Sequence, residues 1–512
     1  MPFHKFDHSF QADKLTGFDY TIIGAGAAGI CLAVNLSRQG KSVMLIESGI
    51  FEESEMHQRL NEVILTGKYM NGISAGRKRI VGGTTVAWGG QSLPFSPIDF
   101  KKRDWVESSG WPMTYEEIAP FYVQANQFMG LQDHEYFSDA ELKKINLQNP
   151  GFNKSIFDYH ISRWAKEPNF KLLYSNYLEK NVFTLYDASL DKIYSKNDKI
   201  IAIDLVNNDL HRINIHVNNL ILATGGVESI RILLAHPELF SLNEQYEKIG
   251  KGFMDHPCID IGYIVPDNAF RLQRYFNTHI YKGYKQSVRL SLNHKIQTEK
   301  KILNASASLF FDADLSNDLF TLAKGIREKF SVKNLFKLFG NIGKLPKTIY
   351  AYLFRSFIFK SNAKAIISLM IEQESTQNSY LALSDEVDHL YQRKIVVNWD
   401  ITYATWKTVI EIADSLKLEL ERLNFGKVVY KNDISADYKE WKSLLSDVNH
   451  HMGGLRISND QTTGVVDPDL KVWGIENLYV ASAAVFPTSS HSNPTLTLLA
   501  LCYRLVNHLS KK

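Results

Sequence analysis

The residues best suited to chemistry lie near the two ends of the chain. Toward the N-terminus, Gly24-x-Gly26-x-x-Gly29 is followed eighteen residues later by Glu47. Toward the C-terminus, His450 and His451 are adjacent, and His491, Asn493 and Pro494 follow further on. Glycines at this spacing let a turn be tight, let backbone approach a pyrophosphate, and let a helix lie close on a strand. A carboxylate at the end of the next strand can accept hydrogen bonds from a ribose. The chemistry indicated is dinucleotide binding. Histidine, with an unperturbed pKa of about 6.5, can take a proton near neutral pH. Asn493 directly before Pro494 has the form of a helix N-cap, a role that needs no chemistry. Adjacent histidines usually face different ways, so at most one of His450 and His451 is expected to face a site. Cys31, Cys258 and Cys502 are far apart and lack CxxC spacing. No metal centre or disulfide framework is expected from them, and a reducing compartment fits.

The elements that must position these residues can be read in turn. The apolar run 20–23 forms a strand, residues 27–39 a helix whose N-terminal amides and positive dipole end face the phosphates, and residues 42–46 a second strand ending at Glu47. Residues 76–90 hold five glycines and form a loop against something. Thr114 with Glu117 three residues on is a capping box that opens a helix. Short strands follow within residues 181–219. The run 220–222 is then a buried strand that meets Thr224, Gly225 and Gly226 before an amphipathic helix carrying Ile230, Leu233 and Leu234. Between about 261 and 441 the alternating runs VRLSL, ASASLFF, AIISLMI, SYLALSD and KIVVNWDI predict one half-buried antiparallel sheet. A last helix is expected with Pro494 as its first residue, running over 495–509, with Asn493 at its N-cap.

A chain of 512 residues is too long for one ordinary core, and two domains are expected. With 58 basic and 55 acidic residues the net charge is +3, which argues against a nucleic-acid partner. The first residues, MPFHKFDHSFQADKLTG, have no apolar core of the signal-peptide kind, and no run of eighteen apolar residues occurs anywhere. No signal peptide or membrane span is expected, and the location that fits is cytoplasmic. Residues 319–364 hold ten Lys or Arg and a single acid, Glu328, among many aromatics, with Leu319, Leu322, Ile326 and Phe330 at helical spacing. Two readings stand side by side: a solvated helical lid over the core, or a helix lying peripherally on an anionic membrane.

Taken together, GGTTVAWGG, GWPMTYEEIAPFY, LILATGG, GFMDHP, HHMGGLR, YVASAAVFP and HSNPTLT resemble the glucose-methanol-choline family of flavin oxidoreductases, in the same order and over most of the chain. The resemblance implies an α/β fold: a Rossmann-type FAD-binding domain assembled from discontinuous segments, with an inserted α+β substrate domain built on an antiparallel sheet. The expected divisions are 1–100, 171–260 and 445–512 for the FAD domain, 101–170 for a cap segment and 261–444 for the substrate domain. FAD is expected to contact Gly24, Gly26, Gly29, Glu47, Gly83, Thr84, Trp88, Leu190, Thr224, Gly225, Ala483, Pro494 and Thr495. The link is expected to be non-covalent, because Ala87 precedes Trp88 where relatives that attach flavin commonly have histidine. His450 corresponds to the family's catalytic base and Asn493 to its partner, while His256 in GFMDHP reads as a structural histidine. The implied activity is oxidation of a CH–OH group, with hydride passing to flavin N5. The substrate would be a small sugar- or polyol-like alcohol, and oxygen or a quinone the electron acceptor. A lyase that keeps FAD as scaffold and an inactive flavoprotein subunit are the alternatives.

Overall fold

The computed structural model describes residues 3–10, 15–132, 134–312 and 350–511, apart from 352, 354, 356, 358, 361 and 362. Its first sheet explains why the glycine motif works. In spatial order the six strands are Phe3–Lys5, Phe183–Tyr186, Val43–Glu47, Tyr20–Ile23, Leu220–Leu222 and Leu478–Val480. Every neighbouring pair is parallel. The four strands from Val43–Glu47 to Leu478–Val480 are buried at every residue, as a parallel sheet covered on both faces requires. These strands come from widely separated parts of the chain, so the Rossmann-like sheet is indeed built from discontinuous segments.

Helix Ala27–Arg38 packs on the C-terminal helix Pro494–Leu509, which in turn packs on Tyr115–Phe128. The expected capping box is present: Glu117 N donates to Thr114 Oγ1 at 3.3 Å, and Thr114 N donates to Glu117 Oε2 at 2.6 Å. Observed bounds differ from the expected ones by one residue at Ala27–Arg38 and at Val43–Glu47, while Pro494–Leu509 begins at the expected proline.

The second large sheet is antiparallel and has eight strands. Its order is Lys427–Tyr430, Cys258–Val265, Lys364–Ile371, Ala305–Asp312, Tyr284–Leu292, Phe157–Trp164 and Gln91–Ser92, with His279–Tyr281 paired onto Tyr284–Leu292. One expectation is corrected here. SYLALSD and KIVVNWDI do not join this sheet: Tyr380–Val387 pairs antiparallel with Arg393–Asn398, which on its other edge pairs in parallel with Val63–Leu65. Alternation marks a strand as half-buried but does not say which edge it meets. Residues 319–349, most of the basic segment, lie outside the described residues. Among the described residues, no helix is long and apolar enough to cross a membrane.

Candidate active site

A cavity of about 630 Å³ opens along the C-terminal ends of the parallel strands. Two helix N-termini reach its wall: Gly26, Ala27 and Ala28 at one, Asn493, Pro494 and Thr495 at the other. Neither helix has a side-chain cap, so the first amides of each remain free for a ligand. Of the thirteen residues expected around FAD, twelve line this cavity: Gly24, Gly26, Glu47, Gly83, Thr84, Trp88, Leu190, Thr224, Gly225, Ala483, Pro494 and Thr495. Gly29 stands behind them, where a Cβ would come 1.8 Å from the Gly24 carbonyl oxygen. Close helix-on-strand packing is thus what this third glycine serves. The buried Glu47 carboxylate accepts from Ala25 N at 2.7 Å and Gly49 N at 2.8 Å, and burial raises its pKa from the ordinary value. Oε1 accepts from Ser48 Oγ as well, at 3.4 Å, while Oε2 keeps a further lone pair. The wall beyond it carries Arg79, which pairs with Glu228 at 3.0 Å and donates to Ser48 Oγ at 3.0 Å.

His450 and Asn493 meet at the same cavity. Asn493 Nδ2 donates to His450 Nε2 at 3.1 Å, and Asn493 Oδ1 is buried without a partner. The expected cap is therefore corrected. Asn493 stands at the N-cap position, but its side chain turns to His450 and makes no cap bond. On its other side, His450 Nδ1 lies 2.8 Å from His256 Nδ1, and His256 Nε2 lies 3.0 Å from the Ser489 carbonyl oxygen. These contacts assign the protons. A carbonyl only accepts, so His256 Nε2 carries hydrogen. His256 is fully buried and its pKa is pushed down to about 4 by burial, so it is neutral and its Nδ1 is bare. His450 Nδ1 must then donate. Burial, and after it the neighbouring His256 and His451, hold the pKa of His450 well below the ordinary value, so its Nε2 carries no hydrogen and its lone pair accepts from Asn493 Nδ2.

His256, expected to be a structural histidine, touches His450. Asp255 beside it fixes the backbone. Its carboxylate accepts from His450 N at 3.1 Å, Val448 N at 3.3 Å and His256 N at 2.6 Å, and burial pushes its pKa up to about 7. His451 also lines the cavity, but its ring stacks near Phe253, with centroids 6.2 Å apart, and its Nε2 sits 3.8 Å from Asp255. His491 stacks on His160 at 5.5 Å. Among the described residues no group of His, Cys, Asp or Glu could hold a metal ion.

Comparison with known proteins finds family likeness in two segments of the chain. Residues 375–502 match the family model described as GMC oxidoreductase, and residues 22–50 the NAD(P)-binding Rossmann-like domain. Paromamine 6'-oxidase of Streptomyces fradiae is 29% identical over 126 residues, covering 22% of this chain and 23% of that protein. C-glycoside 3-oxidase of Microbacterium trichothecenolyticum is 40% identical over 98 residues, covering 19% and 18%. The matched segments thus span about a quarter or less of these curated relatives. Pyridoxine 4-oxidase from Mesorbium loti superposes with a TM-score of 0.59 at 14% identity, over 97% of this chain and 100% of that one, a likeness of fold.

Proposed function

We propose that this chain, a member of the GMC oxidoreductases by its residues 375–502, is a FAD-dependent oxidoreductase that oxidises the CH–OH group of a small polyhydroxylated alcohol. The observation that carries the reading is the unprotonated Nε2 of His450, which accepts from the Asn493 amide at a helix N-terminus on the wall of a large cavity.

The residues present fit FAD. Uncapped amides at residues 26–28 suit a pyrophosphate, Glu47 suits the adenosine ribose, and a glycine-only cradle lies between, where a Cβ on Gly83 would come 2.7 Å from Gly26 Cα. When bound, FAD supplies a two-electron acceptor for the hydride released from carbon. The chain's own residues must handle the hydroxyl proton. His450 Nε2 accepts it, and Asn493 Nδ2 is placed to donate to the alcohol oxygen and hold it. As His450 gains charge, its Nδ1–H bond to the neutral His256 spreads and stabilises that charge. The positive end of the Pro494–Leu509 helix would favour the negative charge that a reduced flavin bound in this cavity carries.

Ala87 offers no nucleophile beside Trp88, which supports non-covalent FAD; yellow colour is expected in the supernatant after acid precipitation, not in the washed pellet. The acceptor is oxygen or a quinone. The basic residues of 319–364 favour docking on anionic membrane and hence a quinone, which co-sedimentation with anionic but not neutral vesicles would support. The function itself is tested by screening sugars and polyols for anaerobic bleaching of the flavin. Bleaching by at least one alcohol, reversed by oxygen or a quinone, is expected; turnover without any bleaching would favour the lyase alternative.

A further inference from the structure

Strand Tyr284–Leu292 runs antiparallel beside Phe157–Trp164, and the register sets Arg289 opposite His160 and Ser287 opposite Ser162. Paired residues share a face, so Arg289 and Ser287 lie on the side that carries His160, Ser162 and Trp164. That side holds two residues of the cavity wall, and Arg289 stands against both of them without being a lining residue itself. Trp164 and Gln91 line the cavity, and His160 stacks on His491, two residues before Asn493.

The Arg289 guanidinium lies over the Trp164 ring, 5.7 Å from its centroid, and Nη2 donates to Gln91 Oε1 at 3.3 Å. Its Nε is buried without a partner. Among the described residues no carboxylate pairs with it, and burial pushes its pKa down to about 10. The neighbouring histidines do not compensate. His160 and His491 are each held neutral by burial, and their Nδ1 atoms are also buried without partners. A ring face and an amide oxygen only partly offset the desolvation of a guanidinium, because neither carries negative charge. The missing component is an anion, and the planar fork of arginine suits a carboxylate or phosphate held through two bonds.

We propose that Arg289 forms an anion-recognising subsite of the substrate cavity, so that the preferred alcohol carries a carboxylate or phosphate group, as in a sugar acid or a phosphorylated sugar. The proposal rests on the reading of this cavity as an alcohol site, and it deepens that reading by giving the substrate a charge.

The test uses the FAD-loaded enzyme, a neutral aldose, its aldonate and its 6-phosphate. Dissociation constants are read first from the perturbation of the oxidised flavin spectrum, which needs no turnover, and then from anaerobic flavin reduction. In the wild type one of the two anionic members is expected to bind at least tenfold tighter than the neutral one. R289Q should collapse that ratio toward one, and R289K should restore part of it. Equal binding of neutral and anionic members by the wild type, or a ratio unchanged in R289Q, would overturn the subsite. Anion binding without reduction by any alcohol would uphold the subsite and overturn the oxidoreductase reading instead, so the two failures are distinguishable. Should R289Q lose FAD, R289K decides: a compact ammonium keeps the charge but not the fork, so the anionic preference should fall yet stay above one.

Discussion

His450 has its lone pair on the useful nitrogen because of two neighbours, and one of them was not legible in the sequence. GFMDHP looks like a rigid extended segment, and nothing in its spacing tells that His256 lies 2.8 Å from a histidine almost two hundred residues away. His256→Ala should leave the tautomer of His450 unset. The rate of flavin reduction is expected to fall at least tenfold, up to the ~10⁴-fold that a misplaced tautomer costs a catalytic histidine. His256→Asn can still accept from His450 and donate to Ser489, so it should recover much of that rate; a deficit as large as that of alanine would mean that bulk, not the proton arrangement, matters. Asn493 was legible as to position and not as to purpose, since it stands at the N-cap position while its amide serves His450. Asn493→Ala should therefore slow flavin reduction without the loss of about 1 kcal/mol that removing a true side-chain cap brings. Thermal unfolding of the variant checks this, with a melting temperature near that of the wild type expected.

At the scale of elements, the turn that delivers Asn493 is tied down by buried polar bonds. Ser490 Oγ donates to Asp99 Oδ2 at 2.8 Å, Thr488 Oγ1 donates to the Asp99 carbonyl at 3.0 Å, and Gln373 N donates to Ser489 Oγ at 2.9 Å. Next to them Arg103 grips Glu372 through two bonds of 2.8 and 2.5 Å, both side chains being almost wholly buried. Removing one partner of such a pair leaves a buried charge alone. Arg103→Ala should cost about 3–5 kcal/mol in denaturant unfolding, far more than deleting the exposed Arg59 of the Arg59–Glu55 pair, worth roughly 0–1 kcal/mol. Comparable losses for the two would show that the clamp is not what holds the turn. The Thr114 capping box and the parallel strands were readable because each is a local pattern. The separate sheet in which Arg393–Asn398 lies between Tyr380–Val387 and Val63–Leu65 was not, because it depends on which strand edge lies free across more than three hundred residues.

Over the whole molecule, the same burial that keeps the site's histidines neutral makes the fold sensitive to acid. His256, His451 and His491 have pKa values pushed down to about 4, about 3 and about 4, against about 6.5 in an unfolded chain. As pH falls below about 6.5 the unfolded chain takes up protons that the folded one refuses. Stability is therefore fully present above 6.5 and drains as pH drops toward 4, each histidine giving a slope of about 1.4 kcal/mol per pH unit. Asp255 opposes this. Its pKa of about 7, raised from 3.8, means that the folded state holds an extra proton across that window, so its contribution grows as pH falls. Three histidines outweigh one carboxylate, so the melting temperature is expected to fall steadily between pH 6.5 and 4.5; a flat profile would show that these histidines are hydrated in solution. The assembly of one site from residues 24–29, 47, 83–90, 224–226, 450 and 493 was legible only through resemblance, because no periodicity links segments so far apart in the chain.

The most direct test of His450 as the base is stopped-flow reduction of the bound flavin in His450→Ala under anaerobic conditions, with FAD content measured on the same sample. Positioned general base catalysis is worth about 10²- to 10⁴-fold, so a loss of that order with full FAD occupancy is expected, while His451→Ala stays within a few-fold of wild type. A His450→Ala enzyme that reduces its flavin at nearly the wild-type rate, or a His451→Ala enzyme that is the more damaged of the two, would contradict it.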